Sequence, residues 1–218
     1  MLSRFKMWGA AVAAAVLMTG SAQAATVIDF NTGFAGEGGT ISWDGTNMIG
    51  SNIPIGAVYI VGAPQANGVY AVTGSATGQG AGGFGSLSFN TSSDNNFITI
   101  TGCISSLSVG LDANGNCDPV ALMDGTFTSW NFNGTNGLDD AMGTDVKHMA
   151  LLEAINWPAD LPWEFFGFSI TTSQLSPNGQ AGAVISTDIR NTAVPEPATM
   201  MLLGTGLLAA FRARRRQA

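Results

Sequence analysis

Residues 97–111 read FITITGCISSLSVGL. Phe97 to Thr101 alternates in part between apolar and hydroxyl side chains, with Phe97 fitting a strand that turns one face inward. Leu107, Val109 and Leu111 alternate cleanly. A period of two is the mark of a half-buried strand, because successive side chains point to opposite faces. Similar runs lie on either side. Thr26 to Phe30, Gly39 to Trp43, Ala57 to Val61, Val69 to Thr73 and Phe84 to Asn90 precede it; Phe127 to Phe132, Phe165 to Ile170 and Ala183 to Ile189 follow. Asp44-Gly45 and Asn67-Gly68 punctuate them, dipeptides that readily take the positive φ of a hairpin loop. Ala76 to Gly85, with five glycines, reads as a flexible loop.

One helix interrupts the strands. Thr144 or Asp145 can cap a segment from Val146 to Ile155, stopped by Asn156-Trp157-Pro158, with Val146, Met149, Leu152 and Ile155 as its apolar stripe. Ten strand candidates and one helix predict an all-β chain, an antiparallel β-sandwich of jelly-roll-like form. No repeat of fixed period supports a β-solenoid.

Cys103 and Cys117 are the only cysteines. In an exported chain they predict one disulfide closing a loop of about 15 residues. At the end of that loop and one residue past it, Asp112, Asn114, Asn116 and Asp118 place oxygens at alternate positions, as calcium loops do, so Ca2+ is the one cofactor the sequence raises. Cys117 replaces the usual glycine and Met123 stands where a bidentate glutamate belongs, which excludes an EF-hand. The same residues equally suit an Asx-rich turn without an ion.

Catalytic chemistry finds little support. His148 is the only histidine, and no Gly-x-Ser-x-Gly turn presents a serine to it. Glu37, Glu153 and Glu164 are the only glutamates before the tail, and Asp139-Asp140, the one adjacent acidic pair, would point to opposite faces of a strand. The expectation is a non-enzymatic protein with no catalytic residues. Trp157 and Trp163 flank a Pro-containing, loop-like stretch and are the tryptophans most able to stack on a sugar ring.

The two ends differ from the body. Arg4 and Lys6 precede an uncharged apolar run from Met7 to Met18, and Ser21-Ala22-Gln23-Ala24 supplies small residues for a signal peptidase. Residues 1–24 thus read as a signal peptide cut after Ala24. Between Ala25 and Val194 only Lys147 and Arg190 oppose fourteen acidic residues, a net charge of −12. That balance repels phosphate backbones and excludes nucleic acid as a partner.

At the other end come Val194, Pro195, Glu196 and Pro197, an apolar run from Ala198 to Phe211 containing Gly204-Thr205-Gly206, and then Arg212, Arg214, Arg215 and Arg216. Positive charge beside an apolar segment stays on the cytoplasmic side, so this tail would insert transiently as a transmembrane helix and halt export. Its three parts, in this order, resemble the PEP-CTERM sorting signal. The resemblance covers 194–218 only and implies processing by an exosortase, in a Gram-negative bacterium that makes exopolysaccharide. It implies an exported domain spanning 25–193, released or attached at the cell surface or extracellular matrix. A structural or adhesive role in exopolysaccharide or biofilm is the leading expectation. A calcium-assisted lectin comes second, and a secreted glycan hydrolase third.

Overall fold

A computed structural model describes residues 26–33, 35, 37–74, 83–132, 137–158, 163–173, 182–193 and 206. The signal peptide, the Pro195–Pro197 motif, the arginine tail and most of the glycine loop lie outside the described residues. In chain order the strands are β1 (Val27–Asn31), β2 (Gly38–Trp43), β3 (Met48–Ile55), β4 (Ala57–Val61), β5 (Gly68–Ala71), β6 (Gly85–Asn90), β7 (Phe97–Gly102), β8 (Val120–Phe132), β9 (Gly137–Lys147), β10 (Trp163–Ser173) and β11 (Gly182–Ala193). One helix, α1 (Met149–Ala154), lies between β9 and β10.

Every pairing is antiparallel, and the order is β10-β9-β8-β7-β6-β3-β2-β11-β1-β4-β5. β10 also pairs with β11, so the ladder closes into a ring of eight strands from which β1, β4 and β5 continue. The all-β class expected from the sequence holds. All eleven strands share one continuous sheet, so the pairing does not single out a jelly roll. β11 is the hub. Its length along one edge meets β10, while Gly182–Val184 meet β2 and Asp188–Thr192 meet β1 on the other.

The enclosed core is mostly aliphatic at the β1 side, with Ile28, Ile41, Ile53 and Ile60 fully buried beside Phe30, and aromatic at the β10 side. There Phe89, Phe127, Phe165 and Phe168 meet mostly edge to face, with centroids 5.4 Å apart for Phe89–Phe168 and for Phe127–Phe165. Phe165 and Phe168 are three positions apart and would point to opposite faces of a regular strand. A bulge between Phe166 and Ser169 restores the phase, with Gly167 at φ +65°, a conformation that glycine adopts without steric cost.

Three readings change. In β7 it is Ile98 and Ile100 that are buried, while Phe97 is half-buried on the opposite face. Leu107 to Leu111 is no strand: Ser105–Leu107 form a 3-10 turn, and Ser108 and Gly110 both take positive φ, which breaks an extended chain. Val109 still buries its side chain, by bridging to Ile104. Finally, Val146 and Lys147 belong to β9, not to the helix. His148 is the N-cap, its Nδ1 accepting from the Ala150 amide at 3.3 Å, and Asn156 in the left-handed region ends the turn. The helix buries Leu151 and Leu152, with Ile155 buried at its C-cap, while Met149 is exposed, as is Val146 on β9.

Candidate functional site

The disulfide Cys103–Cys117 forms, with Cα atoms 5.7 Å apart. It lies where β5 and β7 end. Thr73 and Cys103 exchange both backbone hydrogen bonds, at 2.9 and 2.8 Å. Removing the bridge by Cys103→Ala with Cys117→Ala is expected to cost about 3 kcal/mol, the loop-closure entropy of some fifteen residues. The denaturant midpoint of oxidised protein against the double variant measures it.

Asp112, Asn114 and Asn116 are exposed on the loop held by that bridge, and Asp118 is exposed just past it. The Asp112 carboxylate accepts from the Asn114 amide at 2.9 Å, the Asn116 amide at 2.8 Å and Asn116 Nδ2 at 3.3 Å. These donors, led by the Asn116 backbone amide, hold its carboxyl below the ordinary range. Asp118 donates its amide to the Gly110 carbonyl, and Met123 is buried in the core. The loop therefore closes as an Asx turn on its own donors, with which any cation would compete.

The two tryptophans meet, with centroids 5.9 Å apart, but not at the surface. Trp163 opens β10 and is 1 % exposed, so it offers no face to a sugar; Trp157 is half-buried against the core. Trp163 reads as exposed because prolines lie beside it, and its inward position at the start of β10 overrides that reading; residues 159–162 lie outside the described residues.

What Trp163 packs against is polar. Along β9 the period of two buries Asp145 and Lys147 and leaves Met142 and Val146 exposed, the reverse of the usual apolar-in pattern. Lys147 Nζ lies 2.6 Å from Asp145 Oδ2, 2.9 Å from Asn191 Oδ1 and 5.1 Å from the centre of the Trp163 ring. Both side chains of the ion pair are fully buried. Asn191 Nδ2 donates to the carbonyls of Ile28 and Ile189, each at 3.0 Å. Asp145 Oδ1 has no hydrogen-bond partner among the described residues. Burial pulls the lysine below its ordinary range, opposed by Asp145, and pushes the Asp145 carboxyl up, opposed by Lys147. The sequence reading passed over this cluster. Its signal was the scarcity of cations, since Lys147 is one of only two in the body.

A second carboxyl cluster lies between β1 and β11. Burial, with a hydrogen bond and charge from Asp188, pushes Asp29 from 3.8 up to about 7, against the pull of Arg190. The folded chain therefore keeps a proton that the unfolded chain has lost between those two values, so stability falls as pH rises through that window. Asp29→Asn is expected to raise stability by about 1–2 kcal/mol near pH 8, after allowing for solvent screening, and to change little near pH 4. Paired urea titrations at the two pH values check this.

β11 ends at Ala193, and the proline-rich tail begins with the next residue. Residues 193–216 match the family model of the PEP-CTERM protein-sorting motif. The PEP-CTERM motif marks the chain as exported and associated with the cell envelope, with an exosortase as its processing partner. No curated protein and no solved structure matches the chain. Among the described residues no helix is long and apolar enough to cross a membrane, and no group of three His, Cys, Asp or Glu stands together to hold a metal ion. The apolar segment of the PEP-CTERM tail, Gly206 apart, lies outside the described residues.

Proposed function

We propose that the mature chain is a non-enzymatic structural or adhesive component of the cell surface or exopolysaccharide matrix, freed from its tail near Pro195-Glu196-Pro197. The observation that carries this reading is the junction at Ala193. The sorting motif starts at the last residue of the hub strand, so its removal takes away a tail and no strand of the sheet. The acidic body suits solubility outside the cell. His148, the residue most open to a catalytic reading, uses its Nδ1 to cap a helix.

Mass spectrometry of protein from its native host tests the processing. Termini at Ala25 and within 193–198 are expected, and an intact cytosolic chain from Met1 to Ala218 overturns it. Co-sedimentation with the host's purified exopolysaccharide tests the role: retention through washing is expected, and complete partition into the supernatant overturns it.

A further inference from the structure

We propose that Lys147 and Asn191 are joined in the folded protein by an intramolecular isopeptide bond, formed by the chain itself with Asp145 as proton carrier. Three groups that have no ordinary reason to be in a core are buried together there. A lysine, an aspartate and an asparagine, all but closed to solvent, meet on the inner faces of β9 and β11. These strands are not neighbours. β10 lies between them, and its Trp163 pairs with Asp145 on one side and Ala193 on the other, roofing the cluster with an indole.

The reacting atoms are in place. Lys147 Nζ is 2.9 Å from Asn191 Oδ1. A carbonyl bond is about 1.2 Å long, so the carbonyl carbon Cγ lies within about 4 Å of the nitrogen. Only a small rotation separates this from an attacking geometry of about 3–3.5 Å. The two hydrogen bonds from Asn191 Nδ2 to main-chain carbonyls fix the amide plane while it is approached.

The step balances without an outside reactant. The Lys147 ammonium gives a proton to Asp145 Oδ2, 2.6 Å away, turning a buried ion pair into a neutral amine and a neutral acid. Desolvation, which penalises both charges, favours that exchange and makes the lysine a nucleophile. The Nζ lone pair attacks Cγ of Asn191. Asp145 takes a further proton from Nζ as it delivers one to Nδ2, and its unpartnered Oδ1 is free for that relay. The Nζ–Cγ bond forms, the Cγ–Nδ2 bond breaks and ammonia leaves. Asp145 retains one proton, so an amide and a carboxylic acid replace the ion pair and no charge stays buried. The bond would span 44 residues and clamp β11 two residues before the sorting motif begins, so that the last strand could not be peeled from the sheet.

Intact mass of the folded, reduced wild-type chain, corrected for terminal processing, is expected to fall short of the sequence mass by one ammonia. Trypsin supplies a second readout. Lys147 and Arg190 are the only tryptic residues between Ala25 and Val194, and acylated lysine is not cleaved. The fragment 148–190 should be missing from the denatured wild type, and tandem spectra should join Lys147 to Asn191. Lys147→Arg and Asn191→Ala should each restore the full mass, and Asp145→Asn should leave the two residues unlinked. A folded wild type of full mass that releases 148–190 overturns the proposal. So does an ammonia loss that persists in Lys147→Arg, which would come from an Asn-Gly succinimide. A linked Asp145→Asn chain overturns the assignment of Asp145. The wild-type readouts decide the bond even where a variant fails to fold.

Discussion

Asp145→Ala is expected to destabilise the folded chain by about 3–5 kcal/mol, the cost of stranding a buried charge without its partner. Lys147 has no route to solvent, its side chain being fully buried. Without the carboxylate its ammonium keeps the Asn191 carbonyl and the Trp163 ring, which solvate a charge far less well than water does. The direction does not depend on the isopeptide bond, because a chain lacking Asp145 cannot form it and is left with the same charged lysine. The paired replacement Asp145→Leu with Lys147→Met should be more stable than Asp145→Ala, since no charge then remains and only the Asn191 carbonyl lacks its donor, but it stays below wild type by whatever the cross-link contributes. Urea midpoints of the two variants against wild type measure both effects. A single variant within about 1 kcal/mol of wild type would mean that the lysine reaches water or titrates at little cost.

Phe168→Ala is expected to cost about 3–5 kcal/mol, the range for emptying a large aromatic site in a core. Phe168 is fully buried and meets three other rings edge-on or tilted, with centroids 5.4 Å to Phe89, 5.6 Å to Phe127 and 6.5 Å to Phe165. These rings come from β6, β8 and β10, so the void would lie where opposite sides of the closed sheet meet and cannot be filled by moving one strand. Phe168→Leu keeps most of the volume and should cost less than about 1.5 kcal/mol. Thermal melts of both variants check the ordering; equal losses would show that ring geometry matters more than volume.

Much of this was legible in the residues themselves. The all-β class followed from period-two runs and turn dipeptides, and Asp44-Gly45 does turn β2 into β3, with Gly45 at φ +97°. The disulfide followed from two cysteines in a chain with export signals, and the tail from three features in order. β3 was missed because Gly50, Asn52 and Pro54 are loop signals when read locally. In the fold Gly50 lies under the Phe89 ring, where a side chain would collide, and Asn52 sits at a bulge with φ 53°. Val146 and Lys147 read as helical because Met, Ala, Leu and Glu follow them, whereas the pairing of β8 with β9 carries the strand to Lys147.

Sequence alone determined the class of local structure, the cross-link between the cysteines and the address at the C-terminus, because each rests on neighbours along the chain or on charge beside an apolar run. Which face each strand turns inward was decided only by tertiary pairing. A single bulge at Gly167 reverses the phase of β10 and brings Phe165 and Phe168 to one side. The meeting of Asp145, Lys147 and Asn191 is of the same kind. It depends on β10 holding β9 and β11 in register on either side of it, and no local pattern encodes a contact between strands that never pair with each other.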